Sequence, residues 1–295
     1  MSFTKVMAAV DWDEASAAVV IETARRAAGG RPVEIVHVLD QGYYLNTIDP
    51  ASASIEDLRA KASSEAEAYL QGLCDRHGGT YALLEGYAAT VLHEHAESGG
   101  HDLLVVGSHG RHGLKLLLGS TANAVLHGTN QHVLAVRIPG RGEEAEEFSH
   151  AYRRLIACVD LTDESSQVLD IAQTLASEHG AEMHVAHVIK PLQQAYAGVN
   201  PSTMSDVGIQ FEHEADAQAR DELARIADVH GLAADRLHVR HGAPAAEIHA
   251  LVKELGADLV VIGTHGKHGV QLLLGSTANA TLHGATCDTL AVRIR

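Results

Sequence analysis

Two strings in the chain combine residue types suited to holding an anion. Gly107-Ser-His-Gly110-Arg-His-Gly113 runs into Leu116-Leu-Leu-Gly119-Ser120-Thr121, and Gly263-Thr-His-Gly266-Lys-His-Gly269 runs into Leu272-Leu-Leu-Gly275-Ser276-Thr277. Glycine lets a backbone approach a phosphate closely, and the start of a helix offers unpaired amides at a positive dipole end worth ~0.3 to 1 kcal/mol per favourable charge. Ser120 and Ser276, each followed by threonine, can cap that helix or give a hydroxyl to a phosphate oxygen. A lone G-x-x-G is only a tight turn, but duplication of the whole string behind a strand favours a ligand site. Asp11 and Asp160 follow the first strand of each half, in Val10-Asp-Trp-Asp and Val159-Asp-Leu-Thr-Asp. A carboxylate there faces the crevice outside the strand ends where the strand order reverses. It can hold a ribose hydroxyl or an adenine edge, or cap the next helix; capping suits Asp13 and Thr162 better than Asp11 and Asp160.

Other chemistries find less support. Gly119-Ser and Gly275-Ser lack the lysine of a catalytic G-K-[S/T] loop, no S-G-G-x-D-S string suggests an adenylating enzyme, and no G-x-S-x-G elbow suggests a hydrolase. His93 and His95, two positions apart on a helix, point some ~200° apart and cannot share one metal; they read as a solvated pair. His109, His112, His265 and His268 lie in the glycine turns, where they stack on a ligand, donate to phosphate or do neither. His213, between two glutamates, reads as an exposed helix face. Cys74, Cys158 and Cys287 are odd in number and widely spaced, so they read as reduced, mostly buried thiols with neither disulfide nor metal site.

The elements that must position these residues occur twice. Residues 101–137 placed over 257–293 match at 24 of 37 positions without a gap. The same offset of 156 superposes Gly86 on Gly242 and His93 on His249, while Asp11 meets Asp160 at an offset of 149, so the second copy carries a net seven extra residues. β-branched runs alternating with helical periods mark βαβ units and a parallel sheet. Strands are expected near 5–10, 33–39, 81–84, 103–106 and 133–138, then near 155–159, 182–188, 237–239, 259–262 and 289–294. Ile55, Leu58, Ala62, Ala66, Tyr69 and Leu73 recur at helical steps, as do Ala219, Leu223, Ile226 and His230. Gly29, Gly78, Gly99, Gly180, Gly231 and Gly256 are placed to close helices at positive φ. The acid-rich segment that begins Pro139-Gly-Arg-Gly reads as a linker over 141–151, between a first domain at 1–140 and a second at 152–295.

Composition narrows the class. With 46% apolar residues, 295 residues suffice for two cores, since a single domain runs to roughly 100 to 200 residues. No stretch approaches the ~20 apolar residues of a membrane span, and Met1-Ser-Phe-Thr-Lys leads into a strand rather than a signal core, so a soluble, cytoplasmic protein is expected. The formal charge of -16 argues against nucleic acid and anionic membranes as partners. The 21 histidines make that charge sensitive to pH between about 5 and 7 and read as scattered surface residues rather than a sensor.

The strand-Asp start, His37-Val38 and His187-Val188 ending the second strands, the G-x-x-G turn, Leu-Leu-Gly-Ser and the closing Leu-Ala-Val-Arg together resemble the universal stress protein family. The likeness covers both halves except the linker. It implies α/β, Rossmann-like domains, each a five-stranded parallel sheet in the order 3-2-1-4-5, with the two halves forming an intramolecular pseudo-dimer through their fifth strands. Nucleotide-binding members hold ATP with G-x2-G-x9-G-[S/T], the early aspartate and a backbone contact at the second strand. Carried over, these are Asp11, Val38, Gly107, Gly110, Gly119, Ser120 and Thr121, with Asp160, Val188, Gly263, Gly266, Gly275, Ser276 and Thr277. Here eight residues, not nine, separate Gly110 from Gly119 and Gly266 from Gly275. One residue is up to ~3.5 Å of chain, enough to lose or re-register a phosphate contact, and the shorter spacing resembles the branch that does not retain ATP. Against that, the glycines and hydroxyls persist in both halves, with Arg111, Lys115 and Lys267 nearby. The expectation is a non-catalytic stress-response protein binding ATP in one or both crevices, with no metal beyond a nucleotide-associated Mg. The alternatives are a ligand-free dimerising scaffold acting through a protein partner, and a slow ATPase. Self-association of whole chains is open.

Overall fold

A computed structural model describes residues 3–40, 55–108, 118–138, 151–190, 205–264 and 274–294. The chain forms two compact units, 1–151 and 152–295. The acid-rich stretch at 139–150, most of the expected linker, lies outside the described residues.

The first unit runs β1 (Val6–Ala9), α1 (Glu14–Ala27), β2 (Glu34–Leu39), α2 (Ile55–His77), β3 (Thr80–Glu85), α3 (Ala88–Gly99), β4 (Leu103–Gly107), α4 (Ser120–Leu126) and β5 (His132–Val136). The second repeats it as β6 (Arg154–Cys158), α5 (Ser165–His179), β7 (Glu182–Ile189), α6 (Ser205–His230), β8 (Leu237–His241), α7 (Pro244–Leu255), β9 (Leu259–Gly263), α8 (Ser276–Leu282) and β10 (Asp288–Val292). Every strand expected from the sequence forms, with ends within a residue or two. Within each unit the strands pair in parallel, in the order β3-β2-β1-β4-β5 and β8-β7-β6-β9-β10. Both are the 3-2-1-4-5 arrangement.

Burial explains the strand sequences. Leu103, Leu104, Val105 and Val106 of β4 are buried, as are Leu259, Val260, Val261 and Ile262 of β9. Helices cover both faces of such strands, so they carry unbroken apolar runs rather than alternation. β3, at one end of its sheet, has exposed Thr80 and Tyr81, and that is why its apolar signal is short. α1 turns Val20, Ile21 and Ala24 inward and starts at Asp13, whose carboxylate accepts the Ser16 amide at 3.0 Å and its hydroxyl at 2.6 Å. That is the capping expected of Asp13. Thr162 does not match it: its hydroxyl donates to Asp160 at 2.6 Å, and the residue in the N-cap position of α5 is Glu164.

Helix exits follow the expected glycines in five of six cases, at φ 63° (Gly29), 74° (Gly78), 66° (Gly180), 64° (Gly231) and 63° (Gly256). Gly99 is the exception. It ends α3, and Gly100 takes the left-handed conformation at φ 68°. Helix α3 therefore runs one residue further before it closes.

Candidate nucleotide crevice

Strands β2 and β4 flank β1 on opposite sides, so the strand order reverses between β1 and β4. A cavity of about 280 Å³ opens there, lined by Val10, Asp11, Val38, Gly107, Ser120 and Thr121 among others. Its counterpart, about 440 Å³, is lined by Asp160, Val188, Gly263, Gly275, Ser276 and Thr277 among others. Gly119 also lines the first cavity. All but two of the residues carried over from the motif thus converge on one crevice in each unit. Gly110 and Gly266 lie outside the described residues, as do His109, Arg111, His112, Lys115, His265, Lys267 and His268.

The glycine segments are closed at their base. Gly119 donates its amide to the Ser108 carbonyl at 2.7 Å, and Gly275 to the Thr264 carbonyl at 2.6 Å. Those two amides are committed to the loop and are not open to a ligand. The Ser108 and Thr264 amides in turn bond the Val136 and Val292 carbonyls at 2.7 and 2.9 Å, fixing the loop to β5 and β10. Gly119 and Gly275 are themselves the N-cap residues, extended at φ -60° and -59°. Ser120 and Ser276 therefore stand at the first helical position rather than at the cap. Of the two roles open to them, capping is not the one they take. The first intrahelical bonds are Asn123 to Gly119 and Asn279 to Gly275, so the amides of residues 120–122 and 276–278 have no acceptor within their helix. A Cβ on Gly263 would meet crevice-lining Ile294 and Val168 at 3.4 Å, so the bare backbone forms part of the floor.

The two aspartates differ in detail. Asp11 accepts the Asp13 amide at 3.0 Å. Asp160 accepts from the Thr162 amide at 3.3 Å, the Thr162 hydroxyl at 2.6 Å and the Ser165 hydroxyl at 3.1 Å. Each carboxylate organises its strand-to-helix turn while bordering the crevice. The histidines of the His-Val pairs lock the adjoining strand ends: His37 Nδ1 donates to the Val10 carbonyl at 2.8 Å, and His187 Nδ1 to the Val159 carbonyl at 2.9 Å. His37 is buried, which pushes its pKa below the usual histidine value despite that bond and nearby Asp11.

Sequence reasoning missed a strap in each unit. His93 Nε2 donates to the Val125 carbonyl and His249 Nε2 to the Thr281 carbonyl, both at 2.8 Å, tying α3 to α4 and α7 to α8. His95 instead meets Glu34 at 3.1 Å, and so does His101 at 2.8 Å. The expected solvated pair is thus two separate structural contacts. The superposition of His93 on His249 under the repeat was the available signal. Nor are all histidines at the surface, since His37, His101 and His184 are buried. Exposed His213 is as expected. Cys158 is buried, with its thiol pushed up to about 12, whereas Cys74 and Cys287 are half-buried; none of the three is in a disulfide. No metal-holding group of His, Cys, Asp and Glu occurs among the described residues.

The family model described as "Universal stress protein family" matches residues 2–137 and again residues 151–293. The chain belongs to the universal stress protein family. Among curated universal stress proteins it is 36% identical over 141 residues to universal stress protein A homolog 1 of Coxiella burnetii, an alignment covering 48% of this chain and 96% of that one. It is 33% identical over 145 residues to universal stress protein A homolog 2 of the same organism, covering 49% and 97%. Each relative thus corresponds to one half of a tandem chain. Over its full length the chain superposes on a universal stress protein from Archaeoglobus fulgidus with a TM-score of 0.65 at 18% identity, covering 100% of this chain and 97% of that one. At that identity the likeness speaks for the fold. Among the described residues, no helix is long and apolar enough to cross a membrane.

Proposed function

We propose that this universal stress protein is a non-catalytic stress-response protein of the cytoplasm that binds an adenine nucleotide, ATP with its associated Mg, in a crevice of one or both units. The observation that carries the reading is convergence. An aspartate, the end of the second strand, a backbone glycine and a Ser-Thr pair border one cavity at the switch point, in both units. In this arrangement Asp11 or Asp160 faces the ribose or base, and the hydroxyls and amides of 120–121 or 276–277 face the phosphates.

The non-catalytic part rests on the groups that border the crevices. Asp160 is engaged by three donors, which stabilise its carboxylate and make it a poor general base. The sequence lacks the phosphate-reaching lysine after Gly119 and Gly275. The eight-residue spacing favours a second reading, a scaffold whose glycine turns only build the fold and whose surface recruits a protein partner. Denaturing the purified chain and chromatographing the supernatant separates the two. ATP or AMP is expected in the supernatant, and added ATP at 100 times its dissociation constant is expected to raise unfolding stability by about 2.7 kcal/mol. No released nucleotide and no melting shift at millimolar ATP would leave the scaffold.

A further inference from the structure

Three observations set the two crevices apart. The first is size: about 440 Å³ in the second unit against about 280 Å³ in the first. Pockets for small molecules and cofactors run from about 300 to 1,000 Å³, so the second lies within that range and the first at its lower edge.

The second is a latch found in the first unit. The Tyr69 hydroxyl, on α2, donates to the Asp11 carbonyl at 3.0 Å. Trp12 packs edge-on against His37 at 4.7 Å and against Tyr69 at 5.3 Å, with Leu39, Ala62, Ala66 and Leu83 around it. Together they draw α2 onto the β1–α1 corner that forms one wall of the crevice. In the second unit Leu161 replaces Trp12. The buried pair Ala219 and Leu223 of α6 takes the place of Ala66 and Leu70, which puts Glu222 where Tyr69 stands. Glu222 pairs with Arg225 at 2.9 Å. Among the described residues neither half of the latch is present there.

The third is the rim. Counting three residues on from the strand-locking histidines, His37 and His187, gives Asp40 in one crevice and Lys190 in the other, and both line their cavities.

We infer that the crevices are inequivalent: the second unit takes the intact nucleotide first, and the first unit takes it at least about tenfold more weakly because Trp12 and Tyr69 hold its wall closed. This rests on the adenine-nucleotide reading above and adds an order of filling to it. The chain carries its own reporter, since Trp12 is the sole tryptophan and packs against His37, which lines the first crevice.

The test is a titration of the full chain with MgATP, followed in parallel by calorimetry and tryptophan fluorescence. Two heat steps are expected, the tighter silent in fluorescence and the weaker accompanied by a change in Trp12 emission. Lys190→Asp is expected to weaken the silent step by about tenfold and to leave the fluorescent one in place. Tyr69→Glu, which gives the first unit the residue of the second, is expected to tighten the fluorescent step several-fold. Equal steps, a fluorescence change with the first equivalent, a second step that leaves Trp12 silent, or a silent step indifferent to Lys190→Asp would each overturn the inference while leaving nucleotide binding intact. Absence of heat and of fluorescence change at millimolar MgATP would remove the nucleotide reading, and this inference with it.

Discussion

At the scale of single residues, two aspartates two positions apart divide the labour at the β1–α1 corner. Asp13 holds the helix start through both the amide and the hydroxyl of Ser16, whereas Asp11 accepts the Asp13 amide and borders the crevice. Asp13→Ala is therefore expected to lower unfolding stability by about 1 kcal/mol, the usual loss for an N-cap, measured by urea denaturation with the nucleotide-dependent shift unchanged. Asp11→Ala is expected to do the reverse, reducing ligand-linked stabilisation more than intrinsic stability. A common loss of both properties in both variants would contradict the division. The histidine straps were legible as positions, because the repeat superposes His93 on His249. Their partners were not, since a hydrogen bond to Val125 or Thr281 depends on where another helix lies.

At the scale of elements, two glycines seven residues apart, Gly72 and Gly79, have opposite roles. Gly79, ahead of β3, holds φ 107°, and a Cβ there would stand 2.3 Å from the Val33 carbonyl oxygen. Gly72, within α2, has ordinary helical conformation and nothing within 4 Å of an added Cβ. Gly79→Ala is thus expected to destabilise by more than about 2 kcal/mol, from steric and left-handed strain together. Gly72→Ala is expected to stabilise by about 0.5 to 1 kcal/mol, since alanine is the better helix former and restricts the unfolded chain. Urea midpoints moving in opposite directions would bear this out, and a stabilised Gly79→Ala chain would refute it. Helix closures show the same limit on reading a sequence. Gly99 and Gly100 are adjacent and chemically identical, and the choice of Gly100 for φ 68° follows from where α3 ends against the Ala96 and Glu97 carbonyls it caps.

At the scale of the whole molecule, histidine burial ties stability to pH. His37, His101, His184 and His238 all have pKa values lowered below 6.5, desolvation being the largest cause in each case. His184 and His238 also share a ring-to-ring hydrogen bond at 3.0 Å, which requires one of them to be neutral. Arg154, Arg236 and Arg240 face this pair, with Glu182, Asp235 and Glu254 opposing them. Because the unfolded chain takes up protons at these sites first, the stabilisation is complete above the unfolded value and drains away as pH falls through 6.5 toward the lowered folded values. Melting temperature is expected to be flat above about pH 7 and to fall toward pH 5. The measurement belongs at high salt, where relief of repulsion in a chain of charge -16 is screened. A melting temperature that rises on acidification would contradict it.

The one-dimensional pattern by itself determined the tandem repeat, the βα alternation, the ten strands and the short list of residues at the strand ends, because periodicity and turn chemistry are local properties. It could not determine that Gly119 and Gly275 spend their amides on the loop, that the histidines at 93 and 249 are straps, or that three other histidines are buried. Nor could it show that Trp12 and Tyr69, separated by α1 and β2, meet beside one crevice and have no counterpart beside the other. Those facts depend on distances between segments remote in the chain, and only packing sets such distances.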